Sequence, residues 1–217
     1  MLSIWAIQPA LAQMTAEFCG PIPNPWDYYI NKNFIYLVEH AHFTPQVENL
    51  IRGESTSLAG PDLNYTLGRF PNHPRALISV TRAAERKLEA KIGLPRPVEC
   101  YFERALRFRK DDRVARMLYA QFLYGQNRKK EALEQLKITS DSAGDNPMSH
   151  RNIGLIYLEM KEPALALEEA RLLERLNYDD PILGAALKRA GVVREPATGA
   201  AASAAAEAAS AASAASK

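Results

Sequence analysis

The sequence has few of the residues that build small disulfide or thiolate-metal scaffolds. Only two of its 217 residues are cysteine, too few for a disulfide framework or a four-thiolate zinc site. It has little surplus charge either. The 27 basic and 25 acidic side chains leave a formal charge of +2, so composition gives no argument for nucleic acid or an anionic membrane as a partner. Gly-rich phosphate loops, His-Glu-x-x-His, Cys-x-x-Cys and Gly-x-Ser-x-Gly do not occur. The usual sequence support for an enzyme is therefore missing, and neither a cofactor nor a metal is expected. What is present, 47% apolar and 24% charged side chains, suits a folded chain of one or two domains.

The two ends differ from the middle. Residues 1–12 are apolar and close in Ala10-Leu11-Ala12, the small-x-small pattern of a signal-peptidase site. The run is too short to span a bilayer, and no Lys or Arg precedes Lys32. We therefore expect a signal peptide shortened at its start, export to the periplasm and no stable membrane insertion. A packed or disordered amino terminus, in a cytoplasmic protein, is the alternative. After export Cys19 and Cys100 have one intramolecular pairing available, which would tie a Pro-rich arm (13–73) to the body; two buried thiols are the other reading. At the far end, 192–217 is an Ala/Ser-rich low-complexity tail. Ser203, Glu207, Ser210, Ser213 and Lys217 form a polar stripe on it, suited to a frayed helix.

Between the ends the sequence repeats. Ala120 and Gly154, Ala132 and Ala166, and Leu136 and Ala170 are each 34 residues apart, in matching apolar helical settings. In one copy a helical pattern through Val114, Met117, Leu118 and Phe122 meets the turn Gly125-Gln126-Asn127 and resumes over 131–138. In the next, 147–160 turns at Lys161-Glu162-Pro163 and continues over 164–176. An earlier copy is longer. Pro74 opens a helix with Leu77, Val80 and Ala84, Gly93 to Pro97 interrupts it, and 98–108 forms a second helix. The amphipathic stretch 181–190 reads as a cap ended by Gly191. Thr44-Pro45 announces a helix through Ile51, and Leu63, Leu67 and Phe70 share one face of another.

These residues resemble the tetratricopeptide repeat (TPR) family over Pro74 to about Asp180, with two well-matched units and a partial first one. The block His42–Leu77 also resembles segments that precede repeats in uncharacterised exported proteobacterial proteins. The family's small crossing positions fall at Ala120 and Gly154, and its second-helix small positions at Ala132 and Ala166. The resemblance implies an all-α solenoid of about three helical hairpins (74–180) with a capping helix (181–191). It also implies a concave face that binds another protein or peptide segment. Groove positions carried over by that analogy are Arg75, Ile78 and Arg82, then Met117, Gln121 and Tyr124, then Arg151, Leu155 and Leu158. The Lys/Asn clamp of chaperone-binding TPR domains is not among them.

The resemblance implies a non-enzymatic adaptor that serves assembly of an envelope machine such as a pilus, secretion or polysaccharide system. The alternative is a cell-wall or glycan-active factor built on Trp26, Tyr28, Tyr29 and the His40/His42 block. His40 and His42 are two apart and so point to different sides of a helix, which argues against a shared metal. Arg104, Arg107, Arg109, Lys110, Arg113 and Arg116 are the densest basic stretch; we expect a solvated helix face there, not a nucleic-acid surface.

Overall fold

The computed structural model describes residues 16–192, so the expected signal peptide and most of the tail lie outside the described residues. Within that span the fold is all-α, with no strand among the described residues. The helices are α1 (Ala16–Cys19), α2 (Lys32–His42), α3 (Pro45–Glu48), α4 (Ala59–Arg69), α5 (Pro74–Glu85) and α6 (Val98–Phe108). They continue with α7 (Arg113–Gly125), α8 (Lys129–Asp141), α9 (Pro147–Glu159), α10 (Pro163–Arg175) and α11 (Pro181–Arg189). Among the described residues no helix is long and apolar enough to cross a membrane.

From α7 onward the helices keep a constant register. From α7 to α9 the start moves from 113 to 147 and the end from 125 to 159, and from α8 to α10 the bounds move from 129–141 to 163–175, each a shift of 34. The cause is local chemistry at the ends. Asp112, Asn146 and Asp180 stand one residue before α7, α9 and α11, and their side-chain oxygens accept the amides of Ala115, Ser149, and Ile182 with Leu183. Each such cap satisfies an orphan helix donor and is worth about 1 kcal/mol. At the other ends Asn127 and Lys161 take left-handed φ values of 61° and 60°. The amides that follow, Arg128 and Glu162, reach back to the carbonyls of Leu123 and Tyr157, which closes each helix.

The chain forms two compact units that divide at Ser149 and His150, inside α9. In the first, α5 packs on α4, α6 and α7, and α7 packs on α8. Its core joins Leu63, Leu67 and Phe70 of the α4 region to Leu77 and Val80, Phe102, Ala120 and Leu123, and Ala132 and Leu136, all buried. The interruption between α5 and α6 is docked. Gly60 donates its amide to Ile92 O at 2.7 Å, and a Cβ on Gly60 would stand 2.5 Å from the Gly93 carbonyl, so only glycine fits that approach.

In the second unit α10 packs on α11. A Cβ on Gly154 of α9 would lie 2.8 Å from a Leu183 methyl, so the absent side chain lets α9 approach α11. His150 and Glu169 form a buried 2.7 Å pair there. The helix expected from Pro45 through Ile51 is shorter than the sequence suggested. It stops at Glu48 because Leu50 turns the chain at φ 62°.

The arm that precedes α2 is laced to the first unit. Cys19 and Cys100 are joined in a disulfide, with Cα atoms 5.1 Å apart. Arg104 donates to Cys19 O at 3.3 Å and Arg107 to Gly20 O. Farther along, Trp26 N–H donates to Arg69 O at 2.7 Å, and Arg109 pairs with Asp27 at 2.8 Å. Arg116 binds Gln135 and the Lys110 carbonyl, and Arg113 binds the carbonyls of Ser142 and Ala143. The basic stretch expected to be a solvated face is instead spent internally: its guanidinium groups tie the arm and neighbouring chain ends, and Arg104 is buried.

Candidate functional site

The face of α5 is the most informative surface of the first unit. Three exposed or half-exposed residues fall one turn apart along it, Arg75, Ile78 and Arg82, because positions three and four apart share a helix side. They differ sharply in what they are free to do. Arg75 is engaged: its Nε donates to Glu48 at 2.9 Å, a second nitrogen meets the other Glu48 oxygen, and its guanidinium lies over the Phe43 ring. Those hydrogen bonds hold the Glu48 carboxyl below the usual carboxylate range, against the opposing effect of burial. Arg82 has no such partner. Its Nε is shielded from solvent and meets no acceptor, and Ile78 beside it is 37% exposed.

Helix α7 lies alongside α5 and carries Gln121 and Tyr124, both half-buried. Met117, expected to line a groove, is 6% exposed and belongs to the core; its long flexible side chain fills interior space and is closed to a partner. The remaining three positions are in the second unit. There Arg151 pairs with the buried Asp180 at 3.7 Å, while Leu155 and Leu158 are half-buried on α9. The six positions on α5 and α7 are thus on adjacent helices, and the three on α9 form a separate set.

A second grouping was not legible in the sequence. His42, Ser55 and Asp62 converge, the residue types of a hydrolytic triad, but they are wired otherwise. His42 Nδ1 lies 2.7 Å from Asp62 Oδ1, and the Ser55 hydroxyl meets that same oxygen and lies 3.1 Å from the same ring nitrogen. A relay needs the serine on one ring nitrogen and the carboxylate on the other. Asp62 Oδ2 is also occupied, by the amides of Glu54 and Ser55. Burial opposes the charged form of Asp62, yet the hydrogen bonds from Ser55, His42 and these amides outweigh it and hold the carboxyl below its ordinary value. The group clamps the 53–58 loop. No spacing signal marks it, since the three residues come from three different elements.

His73 is buried between the Tyr28 and Phe43 rings. Its Nε2 donates to Glu39 at 2.9 Å and its Nδ1 accepts the Ala76 amide at 3.2 Å, so the neutral ring is itself the cap of α5. Burial pushes its pKa down, against the raising effect of Glu39. The folded state therefore binds fewer protons than the unfolded one. The stability His73 contributes is complete above the unfolded value near 6.5 and is lost as pH falls below it. His73→Asn keeps a cap without a titrating ring. We expect its urea stability to fall less than that of the parent between pH 7 and pH 5. Parallel pH curves would refute the assignment.

Elsewhere, the surplus residues between α5 and α6 frame an open cleft of 580 Å³ with Leu94, Pro95, Pro97 and Phe122 among its walls. Arg128 in its wall pairs with Glu99 at 2.7 Å and with Glu131, and Arg96 donates to Asn64. Trp26 is covered on both faces, by Phe34 at 4.4 Å and by the Arg69 guanidinium at 4.0 Å, leaving no open ring face for a sugar. Among the described residues no three His, Cys, Asp or Glu groups converge as metal ligands. Compared with protein-family models, with curated proteins and with solved structures, the chain matches none.

Proposed function

We propose that this chain is a non-enzymatic, TPR-type scaffold that holds a segment of another protein against the α5–α7 face. The observation that carries the reading is the half-exposed Arg82, whose shielded Nε meets no acceptor, one turn from the exposed Ile78. A buried donor without an acceptor costs about 1–3 kcal/mol. A partner that draws the half-exposed Arg82 side chain outward would relieve that cost, its carboxylate making bidentate hydrogen bonds to the guanidinium beside an aliphatic contact with Ile78. The constant register of helix ends over α7 to α10 supports two TPR-type hairpins, and α5 with α6 would be a longer first one. The Cys19–Cys100 bond supports an oxidising compartment, here the periplasm. Assembly of a pilus, secretion or polysaccharide machine is the setting we assign to it.

Arg82→Glu combined with Ile78→Asp is the direct test, read as the set of envelope proteins that co-purify with the full chain. At least a tenfold loss of the captured partner is expected. Arg86→Glu, one turn on and also exposed, should retain it. An unchanged set of partners, with circular dichroism showing intact helices, sinks the reading.

A further inference from the structure

Helix α2 is covered on one side only. Of its 11 residues Val38 alone is buried, and an isolated helix of this length is marginal in water without packing. Its inner side is satisfied: Glu39 binds His73 and Arg75, and His42 binds Asp62. Its outer side is apolar and exposed, apart from the Phe34 ring face that stacks on Trp26. Ile30, just before the helix, is 72% exposed, Phe34 40%, Tyr36 69% and Leu37 61%. The polar members of this side are Asn33 and His40, with Tyr36 stacked on the His40 ring, and Lys32 at the start of the helix is drawn over the Tyr28 ring.

We propose that this face is the interface of a homodimer in which two α2 helices pack antiparallel across a two-fold axis. Three observations select a second copy as the occupant. The first is register. Phe34, Leu37 and Ala41 follow the 3-4 spacing of a helix-packing seam, and Ile30 in the turn before α2 extends the apolar stripe. An axis between residues 35 and 36 sets Phe34 against Leu37 of the other copy and the large Ile30 against the small Ala41, so the stripe is complementary to itself. The second is area. The four exposed apolar side chains leave roughly 500 Å² per copy at about 150–250 Å² for a fully exposed side chain. Two copies would bury about 1,000 Å², the lower bound of a specific interface. The third is charge. A strip without formal charge offers nothing to a charged peptide and disfavours an anionic lipid surface, which is recruited by basic residues.

The dimer should be weak and concentration-dependent, and it is testable on the full chain. Sedimentation equilibrium from low micromolar to several hundred micromolar should show monomer–dimer exchange, and Leu37→Glu should raise the dissociation constant at least 100-fold while far-ultraviolet dichroism stays the same. The register has its own readout. Ile30→Cys mixed with Ala41→Cys should give a cross-linked heterodimer under mild oxidation, and neither variant alone should cross-link comparably. Within one chain these positions are too far apart along the helix to bridge. A monomer across the whole range overturns the proposal, as does a dimer indifferent to Leu37→Glu. Vesicle binding that depends on Leu37 in a protein that stays monomeric would assign the face to lipid and overturn it too. None of these outcomes involves Arg82, so the dimer stands or falls apart from the α5–α7 scaffold.

Discussion

Replacing both cysteines, Cys19→Ser with Cys100→Ser, is expected to cost about 4 kcal/mol and to lower the melting temperature by about 10 °C. The bond links residues 81 positions apart. Closing a loop of that length removes chain entropy from the unfolded state worth roughly 4–5 kcal/mol in the loop-closure account. The folded arrangement persists in the variant, because the arm keeps its hydrogen bonds to Arg104, Arg107, Arg69 and Arg109. The location of the damage is as diagnostic as its size. Limited proteolysis should cut first between Gly20 and Asn31, where the chain has no helix of its own, before any site in α5 to α8. Both sulfurs are buried, Cys19 at 1% and Cys100 at 0% exposure, so a reductant should act on the native protein only through opening of the arm. A melting temperature within about 3 °C of the parent would show that the polar tethers alone hold the arm.

The repeated part of the fold was legible because its signals are local. Small residues at Ala120, Gly154, Ala132 and Ala166 recur at a fixed interval, and each is buried. A stronger signal lay beside them: the capping residues Asp112, Asn146 and Asp180 keep the same interval, and two of them precede a proline. Caps are written in single residues and so mark helix starts more sharply than apolar periodicity does. The amino-terminal part was less legible because its order comes from distant partners. Helix α2 has a continuous apolar run from Phe34 to Val38, which masks the spacing of its exposed side, and its inner contacts are with Asp62 of α4 and with His73, the cap of α5. The α5 face shows the same limit. Spacing placed Arg75 and Arg82 on one side of a helix, but it could not reveal that Glu48, 27 residues upstream, takes up Arg75 and leaves Arg82 open.

Asn72 is where the arm, the α4–α5 turn and the start of α7 meet, and changing it should do more harm than its size suggests. It is 1% exposed. Its carbonyl oxygen accepts the Tyr28 amide at 3.0 Å and its amide nitrogen donates to Asp112 Oδ2 at 2.9 Å. Asp112 uses its other oxygen to cap α7. Asn72→Ala leaves a buried amide and a buried carboxylate oxygen unsatisfied together, an expected loss of about 3 kcal/mol in urea denaturation at pH 7. Asn72→Asp keeps the shape but turns the donor into a second carboxylate facing Asp112, so at pH 7 it should be the worse of the two, by about 1 kcal/mol or more. The sign should reverse in acid. Two carboxyls at that distance share a proton readily, and near pH 4.5 the protonated carboxyl introduced by Asn72→Asp becomes a donor again and recovers stability relative to the alanine variant. Hydrogen exchange at the Tyr28 amide should separate the two changes, fastest in the alanine variant, which alone loses that amide's acceptor. If the two variants keep the same difference from pH 7 to pH 4.5, Asn72 does not donate to Asp112 and the joint between the arm and α7 must be made by Arg109 and Asp27 alone.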